Sequence, residues 1–333
     1  MRTPRRVELL VPSGFEHRPS GGNVYDRRLR AGLLARGWEV LTHELDPGDA
    51  VPGCDRGDGL LLVDSLVASW AAPTLLGAGA RAVPLVHMLF GTPGERELLT
   101  AAPVVVTTSA WTRRRILADR DVDPRRVLVA VPGVDRAAPG RPSVAGGELL
   151  CVGTLTPSKG QHVLLDALAR CTAADWSCTL VGSTDVDPDY VDQLHKAAAD
   201  AGIADRISFA GALDRAELDE AYRAADLVVL PTLAESYGMV VTEALAHGVP
   251  VVASAVGGVP EALGEVAGTH PGMLVRPGDP DALATALERW LGDAALRTWL
   301  RRTACQRIAT LPRWEATAAA AAGALQAVLE TAS

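Results

Sequence analysis

Lysine is almost absent from this chain, and several common functional motifs are missing altogether. Only Lys159 and Lys196 are lysines among the 32 basic residues, so 32 − 2 = 30 are arginines. A lysine at a chemically suggestive position is therefore informative. The sequence has no H-E-x-x-H motif, no G-x-S-x-G element and no G-x-G-x-x-G fingerprint. These absences argue against a zinc hydrolase, a serine hydrolase and a dinucleotide-dependent oxidoreductase.

Basic charge and long apolar runs are also scarce. The net charge of −8 and the pI of about 5.4 argue against nucleic acid as a partner. The first apolar run is short and broken at Pro12, so neither a signal peptide nor a membrane span is predicted, while contact with a membrane surface is left open. The cysteines form no C-x-x-C, which predicts a reduced, cytoplasmic protein. They are Cys54, Cys151, Cys171, Cys178 and Cys305.

Short apolar, β-branched runs alternate with helical patterns along most of the chain. This alternation predicts an α/β protein with parallel sheets covered on both faces. The predicted strands are 7–11, 38–42, 60–63, 83–87, 104–108, 127–131, 149–152, 179–181, 207–209, 227–230 and 249–253. The predicted helices are 23–36, 111–118, 161–170, 188–201, 215–224, 239–247, 279–291, 294–308 and 314–329.

A Pro/Gly-rich segment at 136–147 interrupts this alternation and is typical of a linker. We therefore predict two Rossmann-like domains, 1–140 and 146–312, with 313–333 crossing back to the first. Ligands of open α/β sheets bind beyond the carboxyl ends of the strands. A ligand site is accordingly expected where two such domains face each other across a cleft.

Two glutamates frame the predicted helix at 239–247. Glu235 precedes this helix, whose N-terminus suits a phosphate. Glu243 lies inside the helix, roughly 7–8 Å along the axis at 1.5 Å per residue. One carboxylate can then meet a group beyond the phosphate while the other meets hydroxyls further back. A sugar joined through a diphosphate to a nucleoside has this layout.

Other candidate positions each allow two interpretations. Lys159, in a strand-to-helix loop, is either a solvated surface residue or a cation for a diphosphate leaving group. The loop at 13–22 is either a flexible surface loop or a place where Gly21 and Gly22 let the backbone approach phosphates. His87 is either a rim residue or a neutral imidazole that bonds a sugar hydroxyl or assists a developing charge.

Two further features have a simpler interpretation. The acidic pairs in 121–123 and 185–187 precede prolines, so they are predicted to be turn or helix-capping carboxylates rather than metal ligands. No metal or other cofactor is expected. The pair Gly257 and Gly258 is either ordinary turn chemistry or a backbone segment packed close to a ligand.

With these residues in view, the chain resembles the retaining GT-B glycosyltransferases of family 4. The segment ESYGMVVTE is similar to the E-x7-E element of that family, and VGTLTPSKG is similar to its diphosphate-binding segment. VAVPGVD resembles the segment before its interdomain linker, and SGGNVYDRRLRAGLLARGWEV resembles its first glycine loop and helix. The resemblance is looser over 42–103.

The resemblance implies roles for individual residues. Glu235 and His87 would act on the transferred sugar, and Glu243 would accept hydrogen bonds from ribose hydroxyls. The segment ISFAGAL, with Leu213, would line the nucleobase pocket. Thr154 stands where the family often has an arginine, so Lys159 or another arginine would carry more of the leaving-group charge. The positions expected to contact the diphosphate are Gly21, Gly22, Thr154, Lys159, Ser236, Tyr237, Gly238, Met239 and Val240.

The resemblance thus implies a transferase with a nucleotide-sugar donor and an unidentified acceptor. A UDP-linked sugar is the first expectation for the donor, and a GDP-linked sugar is the second. Two rival hypotheses remain open. One is an epimerase or hydrolase of nucleotide sugars with the same fold. The other is a protein that binds a nucleotide sugar without chemistry.

Overall fold

The computed structural model describes residues 5–18, 20–52, 60–119, 121–172 and 175–331. The chain forms two compact units. The first comprises Met1–Gly133 and Pro312–Ser333, and the second comprises Val134–Leu311. Cys54 lies outside the described residues.

The described residues form twelve strands and twelve α-helices. The strands are β1 (Arg5–Pro12), β2 (Trp38–Leu45), β3 (Leu60–Asp64), β4 (Arg81–Val86), β5 (Val105–Thr107), β6 (Val127–Val129), β7 (Glu148–Val152), β8 (Ser177–Val181), β9 (Ile207–Gly211), β10 (Leu227–Leu230), β11 (Val251–Ser254) and β12 (Gly272–Val275). The helices are α1 (Gly21–Ala35), α2 (Ser65–Gly77), α3 (Pro93–Ala101), α4 (Ala110–Asp119), α5 (Gln161–Arg170), α6 (Pro188–Asp200), α7 (Arg215–Ala224), α8 (Met239–Ala246), α9 (Val259–Leu263), α10 (Pro280–Gly292), α11 (Ala294–Arg307) and α12 (Trp314–Glu330).

The first unit is a parallel sheet in the order β2-β1-β3-β4-β5-β6, with helices on its faces. Helix α12 joins its core through small residues, since Ala318, Ala321 and Ala324 are buried there. A Cβ on Gly32 of α1 would lie 2.4 Å from the Cβ of Ala318, so α1 and α12 pack closely only because residue 32 is glycine. Helix α12 is therefore part of the first unit.

The second unit is a parallel sheet in the order β12-β11-β10-β7-β8-β9. Its core lies between the sheet and the surrounding helices, with Trp290 fully buried. The segment 136–147 contains no helix or strand and is attached to this unit. There the N–H and hydroxyl of Ser143 donate to the buried Asp226 carboxylate at 2.7 and 2.6 Å.

The predicted pair of Rossmann-like α/β units is confirmed by the two sheets. The strand predicted at 249–253 begins later, at Val251, because the preceding Gly248 has a φ of +72° and closes the end of α8. The sequence pattern does not single out α2, α3 or β12. Across the described ranges, no helix has the length and apolar character needed to cross a membrane.

Candidate functional site

The strand order of the second unit brings two loops together. Strands β7 and β10 are hydrogen-bonded neighbours although β8 and β9 lie between them in sequence. The strands that follow β7 in sequence lie on one side of this pair, and those that follow β10 lie on the other. Because β7 and β10 are parallel, the loops that follow them leave from the same end of the sheet. In open α/β sheets, such a switch in strand order is where ligands bind. The loops leaving β7 and β10 carry Lys159 and Glu235, respectively.

These two loops are held against each other by their backbones. The N–H of Leu233 and the hydroxyl of Thr232 donate to the carbonyl of Ser158, at 2.8 and 3.2 Å. Gly160 has a φ of +72°, and a Cβ there would lie 2.2 Å from the carbonyl oxygen of Pro231. Only glycine allows this approach, so the side chains of the two loops are presented in a fixed relationship.

Lys159 and Glu235 form an ion pair in this arrangement. Lys159 Nζ donates to Glu235 Oε2 at 2.8 Å, with 31% and 19% of the two side chains exposed. Lys159 is therefore partly buried and ion-paired rather than freely solvated. A partly buried pair that solvent still reaches adds little net stability, roughly 0–1 kcal/mol. An anion with strong acceptor oxygens can therefore replace Glu235 as the partner of the Lys159 ammonium, because breaking the ion pair costs little free energy.

Gly257 and Gly258 support the loop that carries Glu235. The N–H of Gly258 donates to the carbonyl of Glu235 at 3.1 Å. Gly257 has a φ of +59°, and a Cβ at this position would lie 1.6 Å from the same carbonyl oxygen. A Cβ on Gly258 would lie 2.2 Å from the carbonyl oxygen of Ser236. This glycine pair is therefore a close backbone contact with the Glu235 loop.

Helix α8 begins directly after this loop. Its N-cap is Gly238, with a φ of +98° and no side-chain hydrogen bond to the first turn. The half-buried Met239 and Val240 are the first helical residues, so their N–H groups belong to the end of the helix that attracts anions. Ser236 is half-buried and Tyr237 is buried in the preceding turn.

Glu243 is the fifth residue of α8, as the sequence predicts, and is fixed by a tyrosine from α7. The hydroxyl of the buried Tyr222 donates to Glu243 Oε2 at 2.8 Å. Burial raises the pKa of Glu243, while the bond from Tyr222 and the charge of Arg215 oppose that rise. Burial and the charge of Glu243 raise the pKa of Tyr222 well above its usual range. The phenol therefore remains the donor.

Two other predicted contact residues lie in loops of the second unit. Thr154 is half-buried just after β7, and its carbonyl accepts from the side-chain amide of Gln161 at 3.2 Å. Leu213 is half-buried between β9 and α7. The ligand contacts expected of both residues stay predictions.

Gly21 and Gly22 are the first residues of α1, and the N-cap Ser20 accepts from the N–H of Asn23 at 3.1 Å. The start of the helix is thus already capped by a side chain. A Cβ on Gly22 would meet the ring of His87 at 3.5 Å, an ordinary contact. The phosphate-binding role of the two glycines stays a prediction.

His87 follows β4 and lies against two buried carboxylates. Its Nε2 is 2.8 Å from Asp26 Oδ1 and 3.4 Å from Asp64 Oδ2. Burial lowers the pKa of His87, but Asp26 and Asp64 outweigh this effect and bring it to about 9. The two carboxylates therefore favour the protonated ring over the neutral imidazole expected from the sequence. Burial and the charge of Asp26 raise the pKa of Asp64 to about 7. The role of His87 toward a sugar stays a prediction.

Three residues of these arrangements are missing from the sequence-based prediction: Asp26, Asp64 and Tyr222. A signal existed for Asp26, because it falls on the same face of α1 as Leu29 and Leu33. A carboxylate on a buried face needs a partner. In each acidic pair the second carboxylate caps a helical turn, as predicted: Asp123 accepts from the N–H of Arg125 and Asp187 from the N–H of Tyr190.

Comparison with known proteins agrees with the geometry of the second unit. Residues 145–307 match the family model described as glycosyl transferases group 1. A D-inositol 3-phosphate glycosyltransferase of Frankia alni is 35% identical over 261 residues, which is 73% of this chain and 62% of the relative. Another from Geodermatophilus obscurus is 34% identical over 273 residues, which is 77% of this chain and 58% of the relative. The chain therefore spans about three fifths of these relatives.

Solved structures show the same fold. Anabaena HepE in complex with UDP and glucose has a TM-score of 0.78 at 20% identity, covering 97% of this chain and 100% of that chain. Sucrose-phosphate synthase from Thermosynechococcus elongatus has a TM-score of 0.80 at 24% identity, covering 99% and 100%. The protein is thus of the class built from two Rossmann-like α/β units. Within that class, residues 145–307 are similar to the group 1 glycosyltransferases.

Proposed function

We propose that this protein is a retaining glycosyltransferase of family 4 that uses a nucleotide diphosphate sugar. A UDP-sugar is the first candidate for the donor, and a GDP-sugar is the second. The acceptor offers a hydroxyl group. The donor nucleotide binds to the second unit at the carboxyl ends of β7 and β10. We further propose that transfer requires no metal at the phosphates and takes place in the cytoplasm.

The observation that carries this proposal is the Lys159–Glu235 pair beside the start of α8. A cation, a carboxylate and a helix N-terminus lie on two loops that are bound to each other. Glu243 lies further along the same helix, with one oxygen held by Tyr222. This order suits a sugar, a diphosphate and a ribose. The UDP complexes of HepE and the sugar-transferring relatives support the same assignment.

The proposed reaction exchanges one anomeric bond for another. The bond from the anomeric carbon to the phosphate oxygen breaks, and Lys159 and the first N–H groups of α8 stabilise the charge on the departing diphosphate. The acceptor oxygen bonds to the same face of the sugar, and its proton passes to the leaving phosphate. Glu235 positions the sugar, and Glu243 accepts from the ribose hydroxyls. Thr154 supplies no charge, so Lys159 is the principal side-chain cation.

Product analysis tests this function. Purified protein is incubated with UDP-, GDP-, ADP- and dTDP-sugars, with and without a panel of hydroxyl acceptors, and products are identified by mass spectrometry and NMR. We expect acceptor-dependent transfer with the anomeric configuration retained and no increase on adding Mg²⁺. Free sugar without acceptor would indicate a hydrolase, and an altered sugar nucleotide an epimerase. Donor binding without any product would indicate a binding protein.

A further inference from the structure

The first unit contains a compact cluster of two carboxylates and one imidazole. Asp26, Asp64 and His87 offer ligand atoms that all lie within 4.8 Å of one another. They come from three elements: Asp26 from α1, Asp64 from the last position of β3, and His87 from the position after β4. Because they are separated in sequence, no linear metal-binding motif reveals them.

The spacing of the donor atoms suits a small metal ion. His87 Nε2 is 2.8 Å from Asp26 Oδ1 and 3.4 Å from Asp64 Oδ2. Nitrogen and oxygen ligands about 2.0–2.2 Å from a tetrahedral ion are about 3.3–3.6 Å apart. The Asp64 oxygen already lies at this distance from His87 Nε2, and the Asp26 oxygen reaches it with a shift of about 0.5–0.8 Å, which side-chain rotation supplies.

One oxygen of the cluster also has an unmet bonding requirement. Asp26 is fully buried, and its Oδ2 has no hydrogen-bond partner among the described residues. A buried carboxylate oxygen without a partner is energetically unfavourable, and a bound cation is one group that satisfies it.

Asp64 is already oriented as a ligand. Its Oδ1 accepts from the N–H of Leu66 at 2.5 Å, which leaves Oδ2 beside His87. Hydrogen bonds to the outer oxygen commonly fix metal-binding carboxylates in this way.

We propose that Asp26, Asp64 and His87 form a binding site for a divalent transition-metal ion. One imidazole and two carboxylates suit Zn²⁺, Co²⁺ or Mn²⁺. The two carboxylates balance the ion's charge, and on binding the Nε2–H proton of His87 passes to solvent as the metal–nitrogen bond forms. The ion ties the start of α1 to the ends of β3 and β4. The three ligands lie in the first unit, whereas Lys159, Glu235 and Glu243 lie in the second.

Cobalt titration of the untagged, metal-stripped protein tests the site. Co²⁺ is the probe because its visible absorption reports coordination. We expect one equivalent to bind with the strong visible bands of a low-coordinate site. We also expect the midpoint of thermal unfolding to rise by about 5–10 °C at 100 times Kd.

Variants of the cluster and a matched control locate the ion. D26N and H87Q should lose the visible bands and the thermal shift, with at least a tenfold weaker affinity. H43Q is the control, because His43 Nε2 lies 2.9 Å from Glu8 Oε2 in the same sheet, yet among the described residues His43 belongs to no group of three such ligands. It should behave as the parent protein. Circular dichroism establishes that each variant is folded before titration.

The proposal is overturned if the parent protein binds no stoichiometric cobalt. Hydrogen bonds among the three side chains would then account for the cluster without a metal. It is also overturned if folded D26N and H87Q keep the full signal. Should a variant fail to fold, anomalous scattering from cobalt-soaked crystals of the parent protein decides, and density away from these three residues contradicts the site. None of these results depends on transferase activity.

Discussion

Lys159 and Glu235 are 76 residues apart in sequence, yet Lys159 Nζ donates to Glu235 Oε2 at 2.8 Å. The loops that carry them leave neighbouring strands, and Thr232 and Leu233 of the Glu235 loop donate to the carbonyl of Ser158 in the Lys159 loop. The pair gives each residue a partner when no ligand is bound. A diphosphate can replace Glu235 as the acceptor for the Lys159 ammonium. A sugar hydroxyl can then donate a hydrogen bond to the Glu235 carboxylate.

Loss of Lys159 should weaken binding of a nucleoside diphosphate. K159A removes a charge-assisted hydrogen bond worth about 1.5–3 kcal/mol, which is about 10- to 100-fold in Kd. Calorimetric titration of UDP measures this change. The chain's other lysine provides the control, because Lys196 forms an exposed pair with Asp200 at 2.6 Å. Equal losses in K159A and K196A would rule out a specific phosphate contact.

Loss of the Glu235 carboxylate should separate chemistry from nucleotide binding. E235A and E235Q should abolish transfer with the fold retained, because the proposed contact to the sugar is gone. UDP affinity should stay equal or increase, since Lys159 no longer has a competing carboxylate. Turnover assays and UDP titration on the same preparations measure both quantities. Near-normal turnover in either variant would show that the assignment of Glu235 is wrong.

Removing the charge at Glu243 should stabilise the unliganded protein at higher pH. Burial raises the pKa of Glu243 in the folded state above its value in the unfolded chain. The protonated carboxyl therefore makes its full contribution to the free energy of unfolding at a pH below the pKa of the unfolded state. That contribution is lost as the pH rises through the folded pKa. In E243Q, Tyr222 can still donate to the amide oxygen. The advantage of E243Q in free energy of unfolding should therefore grow from pH 4 to pH 8.

Denaturant titrations at several pH values check this dependence. E97Q, at an exposed position of α3, controls for the loss of one negative charge. A difference between E243Q and the parent protein that is flat across pH, or that shrinks as the pH rises, would contradict the account.

Gly257 should tolerate no side chain. A Cβ there would lie 1.6 Å from the carbonyl oxygen of Glu235, in addition to the strain of a φ of +59°. G257A should therefore lower the free energy of unfolding by more than the ~1–3 kcal/mol of backbone strain alone. G268A is the matched control, because Gly268 has a φ of +76° and open space around it. Equal losses of stability and turnover in the two variants would show that the close contact is unimportant.

The sequence predicts much of the second unit because its patterns are local. The bounds of α5, α7 and β10 coincide with the predicted ranges. The sequence does not predict helix α2 because apolar residues lie on all of its faces, so the pattern has no amphipathic period. Pro73, inside the helix, also argues against a helix at this position. Strand β12 has only four residues and begins with glycine.

The site is only partly predictable, for a different physical reason. Glu235 and Lys159 lie beside turns that the sequence marks, and Glu243 lies inside a helix that it predicts. The Lys159–Glu235 pair and the Tyr222–Glu243 bond depend on strand order and helix packing, which no local pattern encodes. The cluster around His87 likewise joins residues from three elements. The pKa of His87 depends on Asp26 and Asp64, which come from other elements.

The most direct test of the central claim is a titration of UDP, GDP, ADP and dTDP into the parent protein and E243Q. A donor site in the second unit predicts saturable one-to-one binding of at least one nucleotide, UDP first. It also predicts at least tenfold weaker binding to E243Q, whose fold is otherwise preserved. Failure of all four nucleotides to bind the parent protein, or equal affinity for folded E243Q, would contradict the account.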